Sequence, residues 1–426
     1  MQSLQTFLSQ LAEIVKSNEL VATYRTKASY FTRCSAKLTF EVLLTFQLSL
    51  PRQSAQAAIN RFIKEMGYDF TLHKQSVFEA REKLSHRIFI DLNNNYFLQN
   101  HVYTGSFRNY RGLRVIAVDG SVFEVPCGAE YFGVLNTVGE PAPKAQAFAL
   151  IDVLNEFVVR AELMPYGTGE TNMAKRMLVE FLASDSAGPN LFLFDRGFFS
   201  RDLCRKLDAC TKFIFRVSSN VIGEVNEANE PDQTVVRRDK KQPDLRLRVI
   251  NYVLPNGESE KLVTNIFDPS FTVEDFGMLY NMRWGVETGF LMLKERLQIE
   301  NFSSAKKELI LQDFFSSIFV YNMMTLAVIE ADEANKTAEE AKLHEKMGKP
   351  KKHTYKPNKN IAISEIRNLL IDTFLEDDPD KRQILFQRVI SMIRRNVIPI
   401  RPRRSTARKS KHNSAKFSFN KKRGLA

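Results

Sequence analysis

The sequence predicts an α/β protein in which a helical N-terminal region precedes a sheet of mixed strand pairing. Apolar residues recur at helical spacing through residues 1–105, which predicts an all-helical first domain. From residue 113 onward, apolar strand-like runs alternate with amphipathic segments in the order strand, strand, strand, helix, strand, helix, strand. The composition, with 44% hydrophobic and 26% charged residues in 426, is that of a globular protein and excludes collagen, coiled coil and wholesale disorder.

The N-terminal region contains three helical segments, two of them amphipathic with basic residues between the apolar ones. The apolar stretch LTFEVLLTFQLSL ends before Pro51, and SAQAAINRFIKEMG and HKQSVFEAREKL follow it. Compact short helices of this kind resemble a helix-turn-helix DNA-binding module, in which the positive charge comes from Arg52, Arg61, Lys64, Lys74 and Arg81. A plain helical bundle with exposed charges explains the pattern equally well.

Two apolar strands of the predicted sheet are each followed directly by an aspartate. The run LRVIAV precedes Asp119 and a glycine, and NLFLF precedes Asp195. Ligand-binding groups cluster where the strands of an α/β sheet end, so both aspartates are candidate site residues. A role in a turn or a helix cap is the simpler alternative for either aspartate taken alone.

The composition also predicts how the rest of the chain is divided. Residues 106–330 form the predicted core, and a polar, alternating stretch at about 218–267 predicts a β-rich subdomain inserted into it. Residues 331–360 are charged and nearly free of large aliphatic side chains, which predicts a linker. Residues 361–426 are predicted to form a C-terminal helical segment and a basic tail.

The positive charge of the chain is concentrated in that tail. The net charge is +12, and 12 of the 61 Lys and Arg residues lie in 394–426, a segment without Asp or Glu. The remaining 49 basic residues match the 49 acidic ones, so the rest of the chain is neutral. A block of one sign attracts an opposite polymer, which favours a DNA-binding role for Arg401, Arg403, Arg404 and Arg408. A solvated tail without a specific partner is the alternative.

Several classes of function are excluded by what the sequence lacks. The four cysteines form no C-x-x-C pair and the six histidines show no metal-ligand spacing, so neither a disulfide scaffold nor a zinc site is expected. A Gly-Lys-Ser/Thr phosphate loop is missing, so no nucleotide cofactor is expected. Without a signal peptide or an 18-residue apolar stretch, we expect no membrane partner and an intracellular location.

Four polar residues in the segment YNMRWGVETGFLMLK are spaced to share one face of a helix. Tyr280, Arg283, Glu287 and Lys294 follow one another at intervals of three, four and seven residues. Such a face would bind a phosphate beside a cation. The alternative is an exposed helix in which Arg283 and Glu287 form an i,i+4 ion pair.

With Glu287, the two aspartates make a set of three carboxylates. Hard divalent cations such as Mg²⁺ prefer carboxylate oxygens and keep water and substrate phosphates as further ligands. Two such ions about 3.5–4 Å apart activate a water or a 3′-hydroxyl in phosphodiester displacement. Asp119, Asp195 and Glu287 are therefore the candidate metal ligands and catalytic residues.

The same segment carries a family resemblance. YNMRWGVETGFLMLK matches the Y-x2-R-x3-E-x6-K signature and resembles the DDE transposases of bacterial insertion sequences, in the group founded by insertion sequence 4. The resemblance extends from about residue 38 to the C-terminus, and its segments occur in the family's order: KLTFEVLLTFQL, IAVDGS, FDRGFFS, VTNIFD, DFFSSIFVYNMM and the Arg-Pro-Arg-Arg of the tail.

The resemblance implies a fold, an activity and a set of roles. The core would be ribonuclease-H-like with a β-rich insertion, and Asp119, Asp195 and Glu287 would hold two Mg²⁺ ions, for which Mn²⁺ substitutes. Tyr280, Arg283 and Lys294 would bind phosphates at the transposon end. The activity would be Mg²⁺-dependent cleavage at transposon ends and transfer of the 3′-hydroxyl into target DNA, which is cut-and-paste transposition.

The implied partners are double-stranded DNA, as terminal inverted repeats and as target, and a second copy of the chain in a synaptic homodimer. The implied location is the nucleoid in the bacterial cytoplasm. Trp284 could stack on an extruded base, although packing in the core is the simpler expectation. Two alternatives to the transposase remain at this point: a non-catalytic DNA-binding repressor derived from one, and a stand-alone metal-dependent nuclease.

Overall fold

The chain divides into two compact units, which we call the helical unit and the sheet unit. The computed structural model describes residues 3–32, 36–49, 54–132, 134–135, 142–185, 187–218, 223–240, 242–254, 257–344 and 354–400. The helical unit comprises Met1–Val102, Glu124–Lys144 and Leu293–Ala426, and the sheet unit comprises Tyr103–Phe123 and Ala145–Met292. The helical unit thus takes in residues 293–330, which the sequence assigned to the core domain.

The helical unit is built around one long central helix. Its α-helices are α1 (Leu4–Ile14), α2 (Asn18–Tyr24), α3 (Phe40–Leu48), α4 (Ala55–Glu65), α5 (Lys74–Arg81), α6 (Arg87–Asp91), α12 (Lys307–His344), α13 (Lys359–Leu375) and α14 (Pro379–Arg395). The longest of them, α12, packs against α3, α6, α13 and α14. The unit also contains the π-helical segment Leu92–Val102, most of a second one, Met292–Arg296, the 3-10 turn Glu130–Phe132, and a two-stranded sheet of Tyr355–Pro357 and Val397–Pro399.

The central helix α12 differs from the sequence prediction at its C-terminal end. It continues to His344, so residues 331–344 of the predicted linker are helical. Ala, Glu and Lys predominate there, and these residues have high helix propensity even without an apolar face. Residues 345–353 of the linker lie outside the described residues. By length and composition alone, Lys307–Glu339 could cross a membrane, but 89% of its apolar window is buried inside the protein, as expected of a core helix.

A partly buried glutamate on α12 caps the first helix of the chain. The Glu330 carboxylate accepts a hydrogen bond of 2.6 Å from the backbone N–H of Leu4, at the start of α1. Burial, reinforced by the nearby charge of Glu333, raises the pKa of Glu330 to about 7. The charged form is therefore disfavoured in the folded chain relative to the unfolded one.

Replacing Glu330 by Gln is expected to stabilise the protein at pH 8 by about 1–3 kcal/mol, because the amide keeps an acceptor for Leu4 without a partly desolvated charge. Since the pKa of Glu330 is raised on folding, its favourable contribution is complete below pH 4.5 and is lost as the pH rises to about 7. Urea denaturation at pH 5 to 8 measures this. The exposed Glu333 is the control, and Glu333→Gln should leave most of the pH dependence in place. Equal stability of wild type and Glu330→Gln at pH 8 would contradict the prediction.

The short helices α4 and α5 are those predicted to form a DNA-binding module. They pack on α3 through an apolar cluster that includes Phe46, Phe62 and Val77. Arg81, which the sequence placed among the exposed basic residues, is fully buried and forms an ion pair of 2.9 Å with Asp313 of α12. Arg52 lies outside the described residues. Burial removes Arg81 from any surface for DNA.

The largest sheet in the described part of the chain has nine strands. They are β1 (Arg114–Glu124), β2 (Val134–Leu135), β3 (Ala142–Asp152), β4 (Phe157–Pro165), β5 (Asn190–Phe194), β6 (Lys212–Val217), β7 (Asp232–Arg237), β8 (Leu245–Val253) and β9 (Ser259–Thr264). Their order is β2-β3-β1-β5-β6-β9-β8-β7, and β4 also pairs with β3. The pairs β1–β5 and β5–β6 are parallel, while β3–β4, β6–β9, β8–β9 and β7–β8 are antiparallel.

The stretch predicted as an inserted β-rich subdomain lies in this same sheet. Strand β9 pairs with β6, with Val263 opposite Phe215, and β8 and β7 extend the sheet from β9. The alternation of polar and apolar residues predicted these strands but not the strand with which they pair, because strand pairing depends on contacts between segments far apart in the sequence. The expected insertion is therefore a continuation of the central sheet.

The remaining helices of the sheet unit are α7 (Glu170–Ser184), α8 (Arg201–Asp208), α9 (Gly223–Asn226), α10 (Val273–Asn281) and α11 (Trp284–Leu291). The parallel strands β5 and β6 are joined through α8, which begins where the Ser200 hydroxyl accepts from the backbone of Leu203. A capping box formed by Thr272 and Asp275 starts α10. These caps set where the helices next to the sheet begin.

Candidate active site

Two parallel strands place Asp119 and Asp195 side by side. Strands β1 and β5 are paired so that Val118 lies opposite Phe194. Asp119 directly follows Val118 in the sequence, and Asp195 directly follows Phe194. Asp119 accepts from the backbone N–H of Gly120 at 2.8 Å, and Asp195 accepts from that of Arg196 at 2.7 Å. Asp195 follows the end of β5 as predicted, whereas β1 continues past Asp119 to Glu124.

The signature segment is not one continuous helix. Helix α10 ends at Asn281 and α11 begins at Trp284, so Tyr280 and Glu287 lie on different helices. A π-helical segment, Met292–Arg296, then contains Lys294, which belongs to the helical unit. The single helix face predicted from the spacing is therefore wrong. Periodicity could not reveal the break, because no proline marks it.

Arg283, at the break between the two helices, brings the three carboxylates together. Its guanidinium lies 3.7 Å from Asp119 Oδ2, 4.0 Å from Asp195 Oδ2 and 3.4 Å from Glu287 Oε1. The Arg283 side chain is only 2% exposed, while the three carboxylates are 24%, 37% and 38% exposed, in that order. The structure thus brings together four of the residues predicted from the sequence.

The electrostatics of the site are those of crowded negative charge. Burial raises the pKa of Asp119 to about 6, and the charges of Asp195 and Glu287 act in the same direction. The N–H of Gly120 and the guanidinium of Arg283 oppose this rise. The site therefore favours a bound cation, which would lower the cost of keeping all three carboxylates ionised.

Tyr280 and Arg216 also lie next to the Asp195 carboxylate. The buried Tyr280 hydroxyl donates to Asp195 Oδ1 at 3.3 Å, and burial raises the pKa of the phenol well above its usual value. Arg216 of β6 lies 3.6 Å from the same oxygen and forms an ion pair of 2.8 Å with Glu260 of β9. Sequence reasoning missed Arg216 and Glu260. The available signal was an arginine inside the otherwise apolar strand KFIFRV.

The other predicted residues are Trp284 and the arginines of the tail. Trp284 is 46% exposed, so it is not packed in the core, and the Arg283 guanidinium carbon lies 5.0 Å from its ring centroid. The tail residues Arg401, Arg403, Arg404 and Arg408 lie outside the described residues.

Two glycines allow α11 to approach strand β3 and its end closely. A Cβ atom added to Gly289 would lie 2.6 Å from Ile151 Cδ1, and one added to Gly285 would lie 3.1 Å from Val153 Cγ1. Glu287 lies between these glycines in the sequence. The close approach therefore sets the height of the glutamate above the sheet.

Replacing Gly289 by Ala is expected to destabilise the protein by about 1–2 kcal/mol, because overpacking outweighs the gain in helix propensity. Ile151 is 1% exposed and has little space to move away. Differential scanning calorimetry measures the expected fall in melting temperature. The matched control is Gly223→Ala, where an added Cβ would meet nothing within 4 Å. A Gly289→Ala variant as stable as that control would show that α11 tolerates a wider spacing.

An α/β sheet with three carboxylates around an arginine offers the oxygen ligands that divalent cations prefer, as in many enzymes that act on phosphate esters. The model of the transposase DDE domain family matches residues 110–323, and the chain belongs to this family. The prediction of a DDE transposase is thereby confirmed.

Two similar proteins are both transposases. Transposase InsG for insertion sequence element IS4, from Escherichia coli (strain K12), is 23% identical over 243 residues, which are 52% of this chain and 54% of that protein. The chain therefore matches about half the length of this curated relative. The piggyBac transposase, in a cryo-EM structure of its synaptic complex with hairpin DNA, is 12% identical with a TM-score of 0.46, over 91% of this chain and 85% of that one.

Proposed function

We propose that this protein is a DNA transposase that cleaves at the ends of an insertion sequence and joins the freed 3′-hydroxyl to target DNA. The observation that carries the proposal is the arrangement of Asp119, Asp195 and Glu287, each within 4.0 Å of the Arg283 guanidinium. Membership of the transposase DDE domain family supports it. We also propose a ribonuclease-H-like core, which the parallel strands β1, β5 and β6 at the centre of the sheet support.

The donor set fits a hard divalent cation. Carboxylate oxygens are the ligands that Mg²⁺ prefers. Burial, and to a smaller extent the charges of Asp195 and Glu287, raises the pKa of Asp119, so a bound cation would help to keep its carboxylate ionised. Asp119, Asp195 and Glu287 would hold Mg²⁺, or Mn²⁺ in its place, as a pair of ions. When bound, the metal supplies activation of the attacking oxygen and stabilisation of the leaving oxygen.

The chain's own residues orient this site. Tyr280 and Arg216 both approach Asp195 Oδ1, and the same oxygen accepts from the backbone N–H of Arg196, so these groups orient the carboxylate. Arg283, Tyr280 and Lys294 are proposed to contact phosphates of the transposon end, with Trp284 exposed beside Arg283 for contact with a base. For Arg283 and Tyr280, both 2% exposed, phosphate contact requires a rearrangement when DNA binds.

The wider features of the proposal come from the same family. Terminal inverted repeats and target DNA are the proposed substrates, bound in part by the basic tail that includes Arg401, Arg403, Arg404 and Arg408. The protein is further proposed to act as a homodimer in the synaptic complex and to be located at the bacterial nucleoid in the cytoplasm. The proposed reaction is cut-and-paste transposition.

The test is an assay with DNA that carries the ends of the protein's own element, with and without Mg²⁺. We expect metal-dependent cuts at the ends, and joining of pre-cut ends to a target plasmid. DNA with scrambled ends is the control. Cutting without joining would replace the transposase by a nuclease, and binding without cutting would replace it by a DNA-binding repressor.

A further inference from the structure

Arg283 is a buried cation shared by three carboxylates rather than paired with one. Its shortest contact with a carboxylate oxygen of the triad, to Glu287, is 3.4 Å, and the others are 3.7 Å and 4.0 Å. A charge-assisted hydrogen bond between Arg and a carboxylate is typically about 2.7–2.9 Å long. Its Nε atom is buried and has no hydrogen-bond partner among the described residues. The guanidinium therefore occupies the space between the carboxylates without binding tightly to any of them.

The second arginine of the site is placed differently. Arg216 lies 3.6 Å from Asp195 but is paired at 2.8 Å with Glu260, so its charge is largely balanced outside the triad. In the described part of the chain, Arg283 is thus the arginine that lies within ion-pair distance of all three carboxylates of the triad. Among the described residues, no three Asp, Glu, His or Cys side chains are close enough to hold one ion as they stand. To bind one divalent ion together, the three carboxylates would have to move closer to one another, into the space that the Arg283 guanidinium now occupies.

We propose that Arg283 is a positioning residue that gathers the triad in the metal-free protein, and that a divalent cation must compete with its guanidinium to bind. This inference rests on the proposed metal-binding role of Asp119, Asp195 and Glu287. The two charges cannot share the same centre without strong repulsion. A displaced guanidinium would become available to a DNA phosphate, which links metal binding to the phosphate contact implied for Arg283.

If Arg283 competes with the metal, its removal should increase the affinity of the protein for a divalent ion. Removing the positive charge should tighten the binding of a divalent ion, because the carboxylates then lose the cation that lies among all three of them. We expect Arg283→Gln to bind Ca²⁺ at least about tenfold more tightly than wild type. Arg283→Lys keeps the charge and should bind Ca²⁺ about as weakly as wild type.

The experiment is calorimetric titration of the full chain with Ca²⁺, without DNA. The matched control is Arg176→Gln, which removes an arginine that pairs with Glu162 outside the site. Tighter binding by Arg283→Gln alone supports the proposal, and equal or weaker binding by this variant overturns it. Should Arg283→Gln be unfolded without metal, its recovery of a cooperative melting transition in millimolar Ca²⁺ supports competition, and no recovery overturns it.

The same titrations separate this inference from the function on which it rests. If wild type binds Ca²⁺ through Asp195, as shown by loss of binding in Asp195→Asn, and Arg283→Gln binds no more tightly, only the competition is wrong. If wild type does not bind Ca²⁺ and cleaves its element ends without added metal, the proposed metal site itself is wrong.

Discussion

Replacing Glu287 by Gln is expected to reduce cleavage of element ends on the order of 10³-fold or more, while binding of the ends is retained. The amide keeps the size of the side chain and its place on α11, but it supplies neither the charge nor both oxygens of a metal ligand. Gel-shift binding and single-turnover cleavage of the same labelled DNA measure the two effects separately. A loss of binding together with cleavage would indicate misfolding instead.

The control for this substitution is Glu274→Gln, which removes an exposed carboxylate from the first turn of the neighbouring helix α10. This variant should cleave at the wild-type rate. Cleavage by Glu287→Gln within about tenfold of wild type would remove Glu287 from the catalytic site, since metal ligands contribute far more than that.

The second large effect is expected on the free energy of unfolding, when the buried ion pair between Arg81 and Asp313 in the helical unit is broken. Asp313 accepts hydrogen bonds from Arg81, from Gln47 and from both the backbone and the hydroxyl of Ser303, at 2.7–2.9 Å. Asp313→Ala would leave the fully buried Arg81 without its counter-charge, and we expect a loss of about 3–5 kcal/mol in the free energy of unfolding. Urea denaturation monitored by circular dichroism measures this loss.

An exposed ion pair of the same unit provides the comparison. Lys16 and Asp377 are separated by 2.8 Å, but the Asp377 side chain is 86% exposed. Asp377→Ala should therefore change stability little, because solvent screens exposed pairs. If Asp313→Ala proved as mild as Asp377→Ala, the network around Arg81 would contribute little to holding α5 on α12.

Much of the candidate site could be predicted from the residues. The strand NLFLF ends where its apolar run ends, and Asp195 follows it directly. The triad, Tyr280 and Arg283 were also predicted, the last two in the role of phosphate contacts. Their burial was not predicted, because spacing along a helix does not show which face packs against the sheet. Arg216 and Glu260 could not be predicted in this way, because their strands are far apart in the sequence and neither residue belongs to a recognisable motif.

The same contrast holds for the elements of the fold. Apolar runs and caps are local, so the sequence predicted the existence of most strands and helices. The long helix α12 was predicted only in part, because its polar end resembles a linker in composition. The break between α10 and α11 and the glycine contacts of α11 depend on packing against the sheet, which no local pattern records.

The sequence by itself determined the class of protein, the three carboxylates and the sign of the charge in the tail, since each depends on residue identity and order. Only the tertiary structure decided that Arg283 lies among those carboxylates and that Arg81 is a buried structural residue. The physical reason is that a guanidinium can bind either a phosphate or a carboxylate. Which of these it meets is set by residues far apart in the chain.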